Sequence, residues 1–517
     1  MNRTLIRGAV AAALLGALLA TPFPALASGR FDLQGQPVAV VNDTTRIDVP
    51  AIRAWSRYPA YIDDQFLQPV DQVLALRGVD RAQDLNCLDQ VPVSTWFNPV
   101  PGGAPPVRLE AAAPLEVLDA RLDGPDPFLV VRDKQGQRCW LDFDMPGAPE
   151  RRTAAAVVSA RLLRAAGFPV LDCDIESITY PALMLAPGAG RTGEYWSQGE
   201  LRTADLERFL AGIAAADGTV RVAASRLPTG IALGSFGERG VRSDDPNDRV
   251  PHQNRRSLRG LAVLAAWLDY STFREDRTLD VYLQPQGYVR HFIRGLARTL
   301  GAGPREPQEK APEGFGLLAD PGFDPRAWAP LDPCAFFQAM QWGDALWGVQ
   351  RLLAVSPAEI QAAVKAGRLS DPEQAELLAG ALIERRERIA RAWLEAINGA
   401  DGFVVREVAR GRWTLECEET GVCAGLRQGE DVTLAMTMTL PDAGETWGLQ
   451  TRGGAAARFD LVPFLPPAWL HRLDARRYAI AEVRAWNYRG HALAGTARVH
   501  IYFDRDSGPR IVGIERD

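Results

Sequence analysis

Between Leu115 and Pro169 the hydrophobic period changes once, from two residues to about three and a half, and that change restricts the classes of fold open to the chain. Leu115 to Leu118 is a short apolar-rich run, and Asp123-Gly124-Pro125 makes a turn. Phe128 to Val131 and Cys139 to Phe143 flank Lys134-Gln135-Gly136, which predicts a β-hairpin. From Arg151 to Ala166 the pattern is helical, closed by Gly167 and Pro169. Another strand pair is expected over 174–185. Strands with a single helix among them exclude an all-helical bundle or an all-β sandwich for this part.

The texture then becomes mostly helical. Helices are expected from Thr203 to Ala214 and from Arg256 to Tyr270, with a polar loop, Asp244-Asp245-Pro246-Asn247-Asp248, between them. A two-stranded ribbon follows, Leu279 to Leu283 and Tyr288 to Phe292, around Pro285-Gln286-Gly287. Ser356-Pro357-Ala358-Glu359 and Ser370-Asp371-Pro372-Glu373 both fit capping boxes with proline in the first turn. The last helix carries Leu378, Leu382, Ile389 and Trp393 on one face and ends before Gly399. Beyond Asp401 alternation returns, over 433–440, 478–485 and 497–503, predicting a small antiparallel β module. The fold class is therefore α+β, with a β-rich lobe (106–190) and a helical lobe (200–400) forming one core (106–400). An N-terminal extension (28–105), with a short helix over 69–76, and a C-terminal antiparallel β module (401–517) flank it.

Arg3 and Arg7, an apolar stretch from Ala9 to Ala20, and Ala25-Leu26-Ala27 form a signal-peptide pattern over 1–27. Cleavage there implies a periplasmic or extracellular protein with no membrane span afterwards. A net charge of −6, made more negative by cleavage, argues against nucleic acid as a partner. The cysteines are Cys87, Cys139, Cys173, Cys334, Cys417 and Cys423, and an oxidising compartment allows several pairings. Only Cys417 and Cys423 are close enough in sequence for a local disulfide candidate. No Cys-x-x-Cys and no His-x-x-x-His occurs, so no structural metal is expected. Gly234-Ser235-Phe236-Gly237 is not a nucleophile elbow, and phosphate-binding glycine loops are absent. No cofactor is expected. Lysine is scarce, with Lys134, Lys310 and Lys365 the only three.

The segments RSDDPNDRVPHQNRRSL (242–258) and RGLAVLAAWLDY (259–270), then Arg277-Thr278-Leu279-Asp280 and Val289-Arg290-His291, carry a likeness. LDQVPVSTWF (88–97), IERRERI (383–389) and the closing Val512 to Arg516 extend it. Together they resemble an uncharacterised family of exported bacterial proteins whose motif order is that of a protein kinase. The resemblance implies a kinase-like two-lobed core. It also implies a strand lysine gripping phosphate, a helix glutamate holding that lysine, a loop aspartate acting on the acceptor, and an asparagine and an aspartate on Mg²⁺. This chain departs at each place. Asp142 stands for the lysine, Ala156 for the glutamate, Thr272 for the catalytic aspartate, Arg277 for the metal-binding asparagine and Gly295 for the metal aspartate. The resemblance therefore implies a degenerate, pseudokinase-like protein that binds a protein or envelope component rather than transferring phosphate. The alternative is an enzyme rebuilt for phosphoryl or nucleotidyl transfer, with metal on Asp142, Asp269 or Asp280.

Other side chains carry two readings each. Asp142 and Asp144 are expected to share a strand face, as a carboxylate pair or as a partly solvated face. Asp245, Asp248 and His252 fit a cluster for acid–base work or cation binding, and equally a loop held by Asx turns and an N-cap. Arg255, Arg256 and Arg259, with Arg294 and Arg298 elsewhere, fit an anion site or a solvated surface, and the surface is expected. The 13 tryptophans are expected mostly in cores.

Overall fold

The computed structural model describes residues 42–53, 79–99, 106–109, 114–124, 126–192, 198–302, 322–440, 445–452, 456–461, 478–504 and 507–516. The signal-peptide pattern, the helix expected over 69–76 and Lys310 lie outside the described residues.

The first sheet begins with β1 (Leu115–Arg121), β2 (Phe128–Arg132) and β3 (Arg138–Phe143); burial alternates strictly along β3 and is broken in β1 by a register shift between Val117 and Asp119. The Asp133 carboxylate accepts from the backbone N–H of Gln135 (2.9 Å) and Gln137 (2.8 Å), closing the β2–β3 turn at Gly136. Helix α1 (Arg151–Ala165) follows, alanine-rich and buried around most of its circumference. Its first turn is held by Asp144, which accepts from the N–H groups of Arg152 and Thr153 (2.9 Å each). Asp144 is thus a helix cap lying beyond the end of β3, not the strand partner of Asp142 that alternation predicts.

Strands β4 (Asp172–Thr179) and β5 (Leu183–Thr192) exist but do not pair with each other as a hairpin. β4 pairs with β7 (Thr219–Arg226) and β5 runs parallel to β1, giving the order β4-β7-β3-β2-β1-β5-β6, where β6 is Gln198–Glu200. Helix α2 (Thr203–Ala211) buries Leu206 and Leu210 in the same core as Val117, Leu129, Leu141 and Val222. The sheet therefore takes in chain well past residue 190. A local reading cannot see this, because β7 reaches its neighbours across an intervening helix.

A second sheet of three strands joins β8 (Gly230–Gly234), β9 (Thr278–Leu283) and β10 (Tyr288–Ile293), so the expected ribbon has a third member. Between β8 and β9 the expected single helix is two segments, α3 (Arg256–Arg259) and α4 (Leu261–Trp267), divided at Gly260. They pack against α6 (Trp342–Ala354), which follows the short α5 (Ala335–Gln338). The crossing is close because both sides are glycine. A Cβ on Gly260 would stand 2.5 Å from the Trp347 ring, and one on Gly348 would stand 2.6 Å from the Gly260 carbonyl oxygen. Helix α7 (Pro357–Ala366) has the full Ser356–Glu359 capping box, whereas α8 (Pro372–Leu394) is capped by Asp371 rather than Ser370. Leu378, Leu382, Ile389 and Trp393 are buried as its periodicity demands, in one core with Trp267, Phe273 and Phe336.

The C-terminal part has its own core. β11 (Ala400–Ala409) and β12 (Arg412–Glu419) lead to the single turn α9 (Thr420–Cys423). Strands β13 (Val432–Leu440), β14 (Glu445–Arg452), β15 (Ala456–Asp460), β16 (Tyr478–Asn487), β17 (Ala497–Asp504) and β18 (Gly508–Arg516) follow. They form a three-stranded sheet, β11-β12-β15, and a five-stranded one, β14-β13-β16-β17-β18, both antiparallel.

The Cys417–Cys423 bridge is not made. All six cysteines are free: Cys417 faces the core from β12, and the α9 turn carries Cys423 to the exposed side. Burial pushes the Cys417 thiol up to about 12, which leaves it inert as a nucleophile. No helix among the described residues is long and apolar enough to cross a membrane.

Candidate functional site

Four of the five positions at which the chain departs from the kinase-like motifs surround one cavity of about 330 Å³. Asp142 comes from β3, Ala156 from α1, Arg277 from the turn before β9, and Gly295 from the segment after β10. Thr272 is not in the lining; it is buried, with a hydroxyl that has no hydrogen-bond partner among the described residues. Sheet order explains the assembly. β3 is a central strand with α1 packed against it, so Asp142 and Ala156 border the same space, and β10 brings Gly295 up from the second sheet.

The cavity is crossed by ion pairs that no local motif announces. Asp126, in the turn between β1 and β2, reaches Arg152 on α1 (2.8 Å), Arg277 (2.6 Å) and Arg298 (3.8 Å). Burial alone would raise its carboxyl, but Arg277, Arg152 and Arg298 override that and hold it well below the usual carboxylate range. Burial likewise works against the charge on Arg277, yet Asp126 and Asp276 fix it as a cation. One carboxylate thus ties the β1–β2 turn to both the helix above the cavity and the chain below it.

Gly295 has φ +73°, and a Cβ there would stand 2.6 Å from Arg277 Cδ. The Arg277 side chain occupies the space where an aspartate at 295 would have to reach, so the two departures fit each other. Phe128 stacks on Trp140 (centroids 3.8 Å apart), and the Arg294 guanidinium lies 4.4 Å from the Trp140 ring centroid. The Trp140 indole N–H donates to Asp142 (3.2 Å). Burial raises the Asp142 carboxyl, a shift that Arg152 and this hydrogen bond only partly offset. Arg294, which donates to the Asp276 carbonyl (3.2 Å), is lowered by burial. Among the described residues no group of three His, Cys, Asp or Glu side chains is placed to hold a metal ion. The lining offers arginine donors, an aromatic wall and one carboxyl that burial makes easier to protonate.

The polar loop forms a second, separate assembly, and it is sealed. Asp248 accepts from His252 Nε2 (2.8 Å), Arg255 (2.7 Å) and the Arg242 N–H (2.6 Å). Asp280 holds Arg242 (3.0 Å) on one oxygen and His291 (2.7 Å) on the other. Trp96 lies among them, stacked on His291 at 3.6 Å, with Arg255 4.3 Å from its ring centroid. Asp245, raised by burial, accepts from the Asn247 N–H (2.9 Å) as an Asx turn. All of these side chains are buried, and none lines the cavity. Asp269 lies apart, after α4, in a left-handed conformation (φ 49°).

The arginines expected at the surface are inside. Arg256 binds Asp89 (2.8 Å) and Asp344 (3.0 Å), and Arg259 binds Asp344 (3.3 Å); both are buried. Their acidic partners lie far away in sequence, so the arginine cluster alone could not reveal them. Arg294 and Arg298 are half-buried beside the cavity. Asp126, Arg152 and Trp140 are cavity residues that sequence reasoning gave no site role, and a carboxylate in a Pro-Asp-Pro turn carries no signal for one.

No protein-family model matches the chain, nor does any curated protein match it at significant similarity. Among solved structures, the Helicobacter pylori proinflammatory kinase CtkA is similar over 52% of this chain and 91% of that one, at 10% identity and TM-score 0.32. The Golgi casein kinase with Mn/ADP bound is similar over 54% of this chain and 72% of that one, at 9% identity and TM-score 0.27. A second structure of the Golgi casein kinase gives TM-score 0.26 at 9% identity.

Proposed function

We propose that this chain is an exported, kinase-like binding or scaffolding protein of the bacterial envelope that does not transfer phosphate. The observation that carries the reading is the Asp126 ion-pair cluster with Arg152, Arg277 and Arg298 across the cavity. A phosphate-gripping lysine and a Mg²⁺ pair are what phosphotransfer needs, and the matching motif positions of this sequence hold Asp142, Arg277 and Gly295, which share one cavity wall. Arg277 repels a divalent cation, and its own charge is already engaged by Asp126 and Asp276. The signal-peptide pattern over 1–27 supports export. No nucleotide, metal or other cofactor is part of the reading, and the partner is a protein or envelope component.

The melting temperature of residues 28–517, with and without Mg²⁺ and ATP, tests this. Ligand at about 100 times its Kd adds about 2.7 kcal/mol, a resolvable shift. The expected result is no shift; a metal-dependent rise refutes the reading.

One observation favours the alternative, an enzyme with rebuilt chemistry: Asp142 is a carboxyl raised by burial inside a cavity, a common mark of catalytic acids. A raised carboxyl carries a stability signature under either reading, and Asp142→Asn exposes it, whereas loss of an activity on the same substitution belongs to the enzyme alone. The raised carboxyl is a liability above its unfolded pKa, because the folded state resists the charge that the unfolded state accepts. Asp142→Asn then raises the melting temperature, more at pH 7.5 than at pH 4. Urea or thermal unfolding at the two values checks this, and an unchanged or lower melting temperature at pH 7.5 contradicts it.

A further inference from the structure

A second cavity, of about 600 Å³, lies apart from the first, where the helical part meets the C-terminal β strands. One face of α6 lines it with Leu346, Trp347 and Arg351; β11 adds Phe403, and β18 adds Ile511 and Ile514. Its size is that of a site for a small organic molecule, and apolar side chains share its walls with charged ones.

The charges at its base are almost balanced among themselves. Asp89 is shared by Arg256 (2.8 Å) and Arg516 (2.7 Å), Asp344 by Arg256 (3.0 Å) and Arg259 (3.3 Å), and Asp401 pairs with Arg516. Three carboxylates thus meet three guanidinium groups. Arg351 is the surplus cation. Among the described residues it makes no ion pair, its Nε is buried without a hydrogen-bond partner, and its guanidinium lies 6.0 Å from the Phe97 ring centroid. Burial lowers its pKa, with only Asp401 acting the other way. A guanidinium that lines a cavity without an ion-pair partner offers an anion a charge-assisted contact.

We propose that this cavity binds a small amphipathic monocarboxylate, its carboxylate on Arg351 and its apolar body against Leu346, Trp347, Phe403 and Ile514. A single negative charge fits because one cation is in surplus. A dianionic phosphate monoester would leave one charge uncompensated beside Asp401, which faces the same space.

The test is isothermal titration of the full chain with decanoate, decanol and decyl phosphate, repeated on Arg351→Gln and Arg351→Lys after each variant is shown to melt as the wild type does. Decanoate should bind the wild type, lose about tenfold in affinity in Arg351→Gln, the size of one charge-assisted contact, and recover in Arg351→Lys. Decanol, lacking the charge, should bind wild type and Arg351→Gln alike. The proposal is overturned if decanoate fails to bind at about 1 mM, if it binds wild type and Arg351→Gln equally, or if decyl phosphate binds more tightly than decanoate.

Discussion

Asp126→Ala is expected to lower the stability of the protein at pH 7 by about 3 to 5 kcal/mol, the cost of breaking a buried ion pair and leaving its cations unmatched. Arg152, Arg277 and Arg298 converge on that one carboxylate, whose side chain is only 12% exposed. Without it, three guanidinium groups face each other across a half-buried cavity. The loss has a pH signature. The folded-state pKa of Asp126 is depressed by its arginines, so its contribution is fully present above the unfolded value of about 4 and disappears as pH falls through the folded value. Denaturant unfolding of wild type and Asp126→Ala should therefore differ most at neutral pH and converge in strong acid. A difference below about 1 kcal/mol at pH 7, the scale of an exposed ion pair, would mean the cluster does not hold the cavity closed.

Asp280→Ala should cost a similar amount, about 3 to 5 kcal/mol, for a different reason. Asp280 is fully buried, and both of its oxygens are engaged, one by Arg242 and one by His291. Removing it leaves Arg242, 1% exposed, with the partly exposed Asp244 (3.1 Å) as its remaining acidic partner, and loosens the imidazole stacked on Trp96. The consequence bears on function: Asp280 has no free oxygen for a metal, so its loss should show as unfolding, not as a folded protein lacking an activity. Circular dichroism and a melting curve decide between these, and an Asp280→Ala chain that melts like the wild type contradicts the structural role.

What the sequence made legible is what is decided within a few residues. The β2–β3 turn carries Lys134-Gln135-Gly136, α1 ends at Gly167, and Ser356 sits three residues before Glu359; each was readable because cap or turn chemistry is local. The three alternating runs beyond residue 401 all became strands for the same reason. Partner choice across long separations was not legible. β4 and β5 look like a hairpin, yet each pairs with a strand distant in sequence. Arg256 and Arg259 look like surface charge because Asp344, which buries them, is 88 and 85 residues away.

The candidate site divides along the same line. Asp142, Ala156, Arg277 and Gly295 were marked by motif position, and they line one cavity, while Thr272 does not. The residue that links the cavity walls, Asp126, was seen only as part of a turn. Its role depends on three arginines contributed from 26, 151 and 172 positions away, a convergence that only the folded chain creates.

The central claim, that the cavity with Asp142, Arg277 and Gly295 in its wall does not run phosphotransfer, is met most directly by ATP turnover. Residues 28–517 and the Asp142→Asn variant, purified identically, would be incubated with ATP and Mg²⁺ or Mn²⁺, and ADP release and phosphate incorporation measured. No metal-dependent turnover is expected from either protein. Turnover by the wild type that Asp142→Asn abolishes while keeping its fold would contradict it.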